Sequence, residues 1–471
     1  MSESSLWRLS ACALSELIQK REVSSVEAAS AAIERMNEKN PHLNAVVADM
    51  ADSALAEAAK LDEHMASSGP VGPLHGVPIT IKENVDQTGC ATTNGVTAFK
   101  DIIAPANSPV VNNLKNAGAI VIGRTNTPEF SYRGTTTNEL HGRTYNPWND
   151  WASPGGSSGG ASSAVMAGMG AIAHGNDIGG SLRYPATATG AATVKPGLGR
   201  VPAYNPTAPG ERGMLSQVMS TQGAIAREVK DVRLAMKSLI TYDAHDPWMV
   251  PMPFEGPAED GPIKVAFTSD PFQFDLHPAV DKALRTAKDA LADAGYEIHE
   301  VDPPSVAGIA KEGAQALFGE ATALLLNDVR KYGSEEFNKI FDAYGEYFTP
   351  FEGNDLLLAM ANRSHHIRQW LLFLQDYPLV LTPFLLAPTF KWNRDTEGRE
   401  GIEEVMGAAM YSISMNYMGL PAGNIPANYN DGLPVGVQIV GRRFREDMIL
   451  DACEAIETRV GVMAERLFER G

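Results

Sequence analysis

Two glycine-rich clusters hold the serines best placed for chemistry. GGSSGG at residues 155–160 sets Ser157 and Ser158 between paired glycines, and NDIGGSLRYP at residues 176–185 sets Ser181 directly after two more. A glycine-rich turn can aim successive amide hydrogens at one spot, as a developing oxyanion requires. The plainer alternative for Ser181 is a serine that caps a helix. Three other readings of the first cluster fail on its surroundings. A flexible linker would not run straight into ASSAVMAGMGAIA, a small-residue stretch that predicts a tightly packed helix. A phosphate cradle at a helix start would be expected to end in the Lys-Ser/Thr of a P-loop, which is missing. Gly156, Ser158 and Gly160 match the G-x-S-x-G elbow in form, but that elbow follows a strand. Here NPWNDWASP precedes it, with Pro147 and Pro154 bracketing polar turn formers.

Positioning such loops falls to the elements around them. LHGVPITIK, residues 74–82, is a β-branched run opened by Gly76 and Pro78, and it predicts a buried strand that ends at Lys82. An ordinary ion pair between Lys82 and Glu83 is disfavoured, because neighbours along a strand point to opposite faces. KNAGAIVIGR at 115–124 predicts a helix end at Gly118 and a second strand. KVAFTS from Lys264, a helix over about 278–295 and YEIHEV repeat the rhythm of an α/β fold. Ser24 with Glu27 forms a capping-box pattern, and apolar residues at helical spacing follow from Val26 to Met36, so two helices open the chain. PLVLTPFLLAP at 378–388 reads as a buried strand, too short to span a bilayer. His174 reads as a core residue of the small-residue helix. Residues 201–222 and 242–261, rich in Pro, Gly and Asp, read as loops of the kind that shape a substrate pocket.

Composition narrows the function. With 44% hydrophobic and 20% charged residues in 471, the chain can bury a large core. Asp and Glu outnumber Lys and Arg by 57 to 39, and the net charge of -18 opposes binding to nucleic acid or an anionic membrane. Cys12, Cys90 and Cys453 form neither a disulfide framework nor a C-x-x-C pair, so a reducing, cytoplasmic setting without structural zinc is expected. Residues 1–21 lack a signal-peptide core.

Lys82 in GVPITIKEN, Ser157 in PGGSSGG and Ser181 in DIGGSLRYP resemble, in order and spacing, the three motifs of the amidase signature family. GRTNTPEF at Gly123, NPW at Asn146, VKPGLGRV at Val194, PLVLTPFLLAP, NYMGLPAGNIPA and GLPVGVQIVG extend the likeness over about residues 20–455. The resemblance implies an α/β amidase signature fold, a twisted mixed β-sheet covered by helices in a single domain spanning residues 1–471, with no metal or organic cofactor. It implies Ser181 as nucleophile, Ser157 as the bridging serine on a cis peptide, and Lys82 as base. It further implies an oxyanion hole of the Ile178, Gly179, Gly180 and Ser181 amides, with Ser158, Asp177 and Arg183 in support.

That assignment is chemically coherent. A serine hydroxyl must hand its proton to a base as it attacks. Lysine serves only when neutral, and its unperturbed pKa of about 10.4 has to be lowered by burial. A nearly uncharged Gly/Ser/Ala pocket would do that, and the same relay run backwards would protonate the leaving amine. Glu83, Asn176 and Thr187-Ala188-Thr189 depart from the family's usual residues, without touching the three motifs. The HGNDIGGS form is nearer to general amidases, acting on oligoamides, aryl amides or carbamates, than to the tRNA amidotransferase A-type subunit, which is the rival reading and needs a partner chain. A catalytically dead binding protein would have no use for all three motif residues. The expected partner is a small-molecule amide or carbamate in a moderately apolar pocket, with residues 214–223, Phe130, Tyr132 and Trp392 as candidate walls. The reading leaves room for a homodimer.

Overall fold

The computed structural model describes residues 3–407 and 409–470. Among them, eleven strands build one mixed sheet: β1 Val46–Asp49, β2 Pro78–Lys82, β3 Ile120–Thr125, β4 Ile172–Asp177, β5 Ala192–Lys195, β6 Thr221–Ala226, β7 Lys264–Phe267, β8 Glu297–Glu300, β9 Leu379–Pro383, β10 Ala422–Asn430 and β11 Leu433–Gly441. Their order is β1-β3-β2-β4-β6-β5-β10-β11-β9-β7-β8. β2 runs parallel to β3 and β4, and β7 runs parallel to β8 and β9, whereas the remaining pairs are antiparallel.

Helices cover both faces, which is why β2 and β3 are buried along their whole length. On one face Ile79 and Ile81 of β2, with Ile172, Leu379, Leu381, Val437 and Ile439, pack against helices Pro109–Asn116, Val229–Leu239, Pro278–Asp293 and Glu446–Val460. Alternate positions of the same strands enter other clusters: Ala173 and Ile225 meet Val165 and Met166, and Val380 and Val440 meet Met415 and Tyr417. Since strand side chains alternate, Lys82 leaves β2 on the face opposite Ile81. That is the side on which helix Gly159–Met166 lies.

The opening helices are Ala11–Gln19 and Ser25–Leu43, and the capping box is formed: Glu27 N donates to Ser24 Oγ at 3.1 Å and Ser24 N to Glu27 Oε2 at 2.7 Å. Three expectations are corrected. The small-residue run is helical only over Gly159–Met166, after which Gly168 and Gly170 adopt φ of +86° and +97° and turn the chain into β4. His174 therefore sits on a strand, opposite Ala224 of β6. The supposed loop 201–222 contains helix Met214–Met219 and the start of β6. The apolar run 378–388 is a strand only over Leu379–Pro383. No helix among the described residues is long and apolar enough to cross a membrane.

Candidate active site

Lys82 is fully buried, and its Nζ donates to Ser157 Oγ at 2.7 Å, Asn176 Oδ1 at 2.9 Å and Ser158 Oγ at 3.1 Å. Among the described residues no carboxylate pairs with it. Glu83 is turned away and receives Thr93 Oγ1 at 2.7 Å and the Gly95 amide at 3.1 Å, with His141 Nε2 at 3.1 Å. Burial drives the Lys82 pKa well below its ordinary value, and the nearby charges of Asp177 and Glu83 oppose this only in part. His174, the nearest histidine in sequence to Ser181, is held at about 3 by burial and binds Gln222 Oε1 through Nε2 at 3.0 Å. It is a neutral core residue and too weakly basic to rival Lys82.

The two glycine clusters meet. Ser158 N donates to Ser181 O at 3.2 Å, and the Gly156–Ser157 peptide is cis. The linker reading fails on contact geometry: a Cβ on Gly160 would overlap the backbone of Asn126 and Ala45, so only glycine lets this loop seat against them. Ser181 sits in the turn between β4 and helix Arg183–Thr189. Its Oγ makes no hydrogen bond among the described residues, so the link from Ser157 to Ser181 is not closed in this structure.

Asp177 braces the turn from beneath. Its carboxylate accepts the amides of Gly180 at 2.8 Å and Leu182 at 3.1 Å, and pairs with Arg183 Nε at 3.0 Å. Burial pushes the Asp177 carboxyl upward, but Arg183, Lys195 and the Asn416 amide more than offset this and hold it below the ordinary carboxylate range. Arg183 also donates to Gln438 Oε1 at 2.9 Å, Asn416 Nδ2 reaches Asp177 Oδ1 at 2.9 Å, and Ser412 Oγ holds Gly179 O at 2.8 Å. Because its amide is taken by Asp177, Gly180 is not a free donor, a correction to the four-amide oxyanion hole. The amides of Ile178, Gly179 and Ser181 have no acceptor among the described residues. Gly180 has φ +128°, and a Cβ there would run into the Tyr184 ring and Ser412 Oγ. Gly180→Ala is therefore expected to cost about 1–3 kcal/mol of stability and to lower kcat/KM by about 10–100-fold, read by thermal melting and steady-state kinetics.

Ser157, Asn176, Ile178 and Ser181 open onto one cavity of about 470 Å³. Phe130 and Tyr132 line it, as do Ser216 and Gln217 from helix Met214–Met219. A smaller chamber of about 60 Å³ adjoins Ser181 and is walled by Tyr132, Ile178, Tyr184, Leu317, Phe318 and Met406. Two candidates fall outside. Trp392 stacks under Arg143, 4.2 Å from its ring centroid, and Met214 is exposed at the surface. Sequence reasoning gave no site role to Asn84, Ser412, Asn416 or Gln438; the last two lie in the NYMGLP and GLPVGVQIVG blocks, which were the only signal for them.

Comparison with known proteins shows the family. The amidase family profile matches residues 27–450. An indoleacetamide hydrolase of Bradyrhizobium diazoefficiens is 47% identical over 465 residues, 98% of this chain and 89% of that one. The A-type subunit of a glutamyl-tRNA(Gln) amidotransferase of Moorella thermoacetica is 29% identical over 484 residues, covering 96% of each chain. Among solved structures, a bacterial aryl acylamidase of the amidase signature family superposes with a TM-score of 0.83 at 26% identity, covering 98% of each chain. The chain belongs to the amidase signature family and is an amidase acting on amide C–N bonds.

Proposed function

We propose that this amidase hydrolyses the amide of an arylacetic acid, of the class that indoleacetamide represents, with Ser181 as nucleophile, Ser157 as relay and Lys82 as base. The observation that carries the reading is a fully buried lysine, with no carboxylate partner among the described residues, hydrogen-bonded to Ser157 at 2.7 Å in the wall of the cavity that holds Ser181. Ser181 Oγ attacks the amide carbon, its proton passes to Ser157 Oγ, and the Ser157 proton passes to Lys82 Nζ. The oxyanion is met by the amides of Ile178, Gly179 and Ser181, while Asp177, Arg183 and Ser158 hold the loop. Collapse returns the proton to nitrogen and expels ammonia, leaving an ester on Ser181 that water cleaves to the carboxylic acid.

The aryl preference is supported by the aromatic walls Phe130, Tyr132, Tyr184 and Phe318, and by the 47% identity to an indoleacetamide hydrolase. The test is release of ammonia or alcohol from indole-3-acetamide, a simple alkyl amide and a carbamate ester by the purified chain alone. The arylacetamide is expected to lead in kcat/KM by about tenfold or more, which corresponds to about 1.4 kcal/mol. A lead for the carbamate would move the substrate class, and turnover only with an added partner chain would favour the amidotransferase reading instead.

A further inference from the structure

The three acceptors around Lys82 Nζ are not equivalent, and their own hydrogen bonds tell them apart. Ser158 Oγ donates its proton to the Asn176 backbone carbonyl at 3.3 Å, so toward Lys82 it accepts. Asn176 Oδ1 can only accept. Ser157 makes no other side-chain hydrogen bond among the described residues, so its proton alone is uncommitted. A neutral amine has two N–H groups and one lone pair. With the two N–H groups on Asn176 and Ser158, the lone pair faces Ser157.

The orientation of Asn176 is itself fixed. Asn176 Nδ2 donates to Asn84 Oδ1 at 2.8 Å, and Asn84 Nδ2 returns a bond to Asn176 Oδ1 at 3.2 Å. Asn84 is anchored in turn, because its Nδ2 also donates to Ser131 Oγ at 2.9 Å and its backbone carbonyl receives Asn205 Nδ2 at 3.0 Å. A flip of the Asn176 amide would set two oxygens face to face and turn an N–H toward the lysine.

We propose that Asn84 and Asn176 are positioning residues for the base: the paired amides present an oxygen that can only accept, and so aim the lone pair of neutral Lys82 at Ser157. The proposal rests on the reading of Lys82 as base. The charged and titratable groups near enough to act on Lys82 are Asp177, tied to Arg183; Glu83, turned away and held by Thr93, Gly95 and His141; and His174, bound to Gln222.

The test is the pH profile of kcat/KM with an amide substrate. Asn176→Asp swaps the neutral acceptor for a charge in contact with Nζ, which favours the ammonium. Its acid limb is expected to rise by about 1–3 pH units, with activity at neutral pH down about tenfold or more and recovering in base. Asn84→Ala frees the Asn176 amide to flip and donate to the lone pair, so kcat should fall at unchanged KM and the limb should move to lower pH. This second variant decides the matter should Asn176→Asp fail to fold. An equal loss at every pH, or an unmoved limb in both Asn176→Asp and Asn84→Ala, overturns the proposal. Lys82→Ala separates the two readings: if the limb survives without Lys82, the assignment of the base fails, and if it vanishes there but stays fixed in the asparagine variants, only the positioning role fails.

Discussion

Ser181→Ala is expected to abolish acyl-enzyme formation and to lower kcat by at least about 10⁴-fold, since the members of a nucleophile–base unit act together and loss of one removes most of what the unit supplies. The fold should survive. Ser181 Oγ makes no hydrogen bond among the described residues, and the contact that ties its loop to the first glycine cluster, Ser158 N to Ser181 O, uses the backbone. Stability should therefore stay within about 0.5 kcal/mol of wild type. Intact-protein mass after treatment with a fluorophosphonate should show one adduct, mapping to Ser181, in the wild type and none in the variant. A variant that still turns over, or a wild-type adduct on another residue, would sink the assignment of the nucleophile.

Lys82→Met should have the next largest effect, about 10²–10⁴-fold on kcat/KM at neutral pH, the usual contribution of a general base. The sign of its pH dependence follows from burial. The ammonium form cannot accept the Ser157 proton, so wild-type activity should rise with pH through the lowered Lys82 pKa and then level off, whereas the variant should lack that limb. Stability gives a second readout. The unfolded lysine keeps its proton up to about pH 10.4, while the folded one releases it earlier. Between those values the unfolded state binds more protons, so stability rises with pH and flattens above the ordinary lysine value. Lys195, which burial holds at about 7, adds a slope of the same sign. The measure is thus the difference between wild type and Lys82→Met in melting temperature across pH, and a difference that does not change with pH would show that Lys82 is not a buried neutral lysine.

Much of the site was legible because its signals are local. The strand ending at Lys82 shows in a β-branched run opened by Gly76 and Pro78, and the capping box at Ser24 spans only three residues. His174 was misplaced for the opposite reason. A run of alanine, glycine and methionine has no period that separates helix from buried strand, and what decides is the pairing of β4 with β6, some fifty residues further on. Helix Met214–Met219 was hidden because its amides at Leu215 and Ser216 are capped by Glu320, at 2.7 and 2.8 Å, from more than a hundred residues away. The Asn84–Asn176 pair left no trace beyond one unusual residue before Asp177. A handshake between the turn that follows β2 and the end of β4 becomes visible only once those strands are aligned.

The brace beneath the nucleophile turn also sets a schedule for synthesis. Arg183 and Asp177 lie upstream of every residue that locks them from the C-terminal half, and Gln438 follows Arg183 by 255 positions. At roughly 5–20 residues per second, Ser181 is translated roughly 10–50 s before that last support exists. The sheet imposes the same wait, because β5, close behind Ser181, takes β10 as a neighbour. A nascent chain thus carries its full set of glycines and serines while the loop that arms them is still unsupported, and that support is in place only after Gln438 has been synthesised.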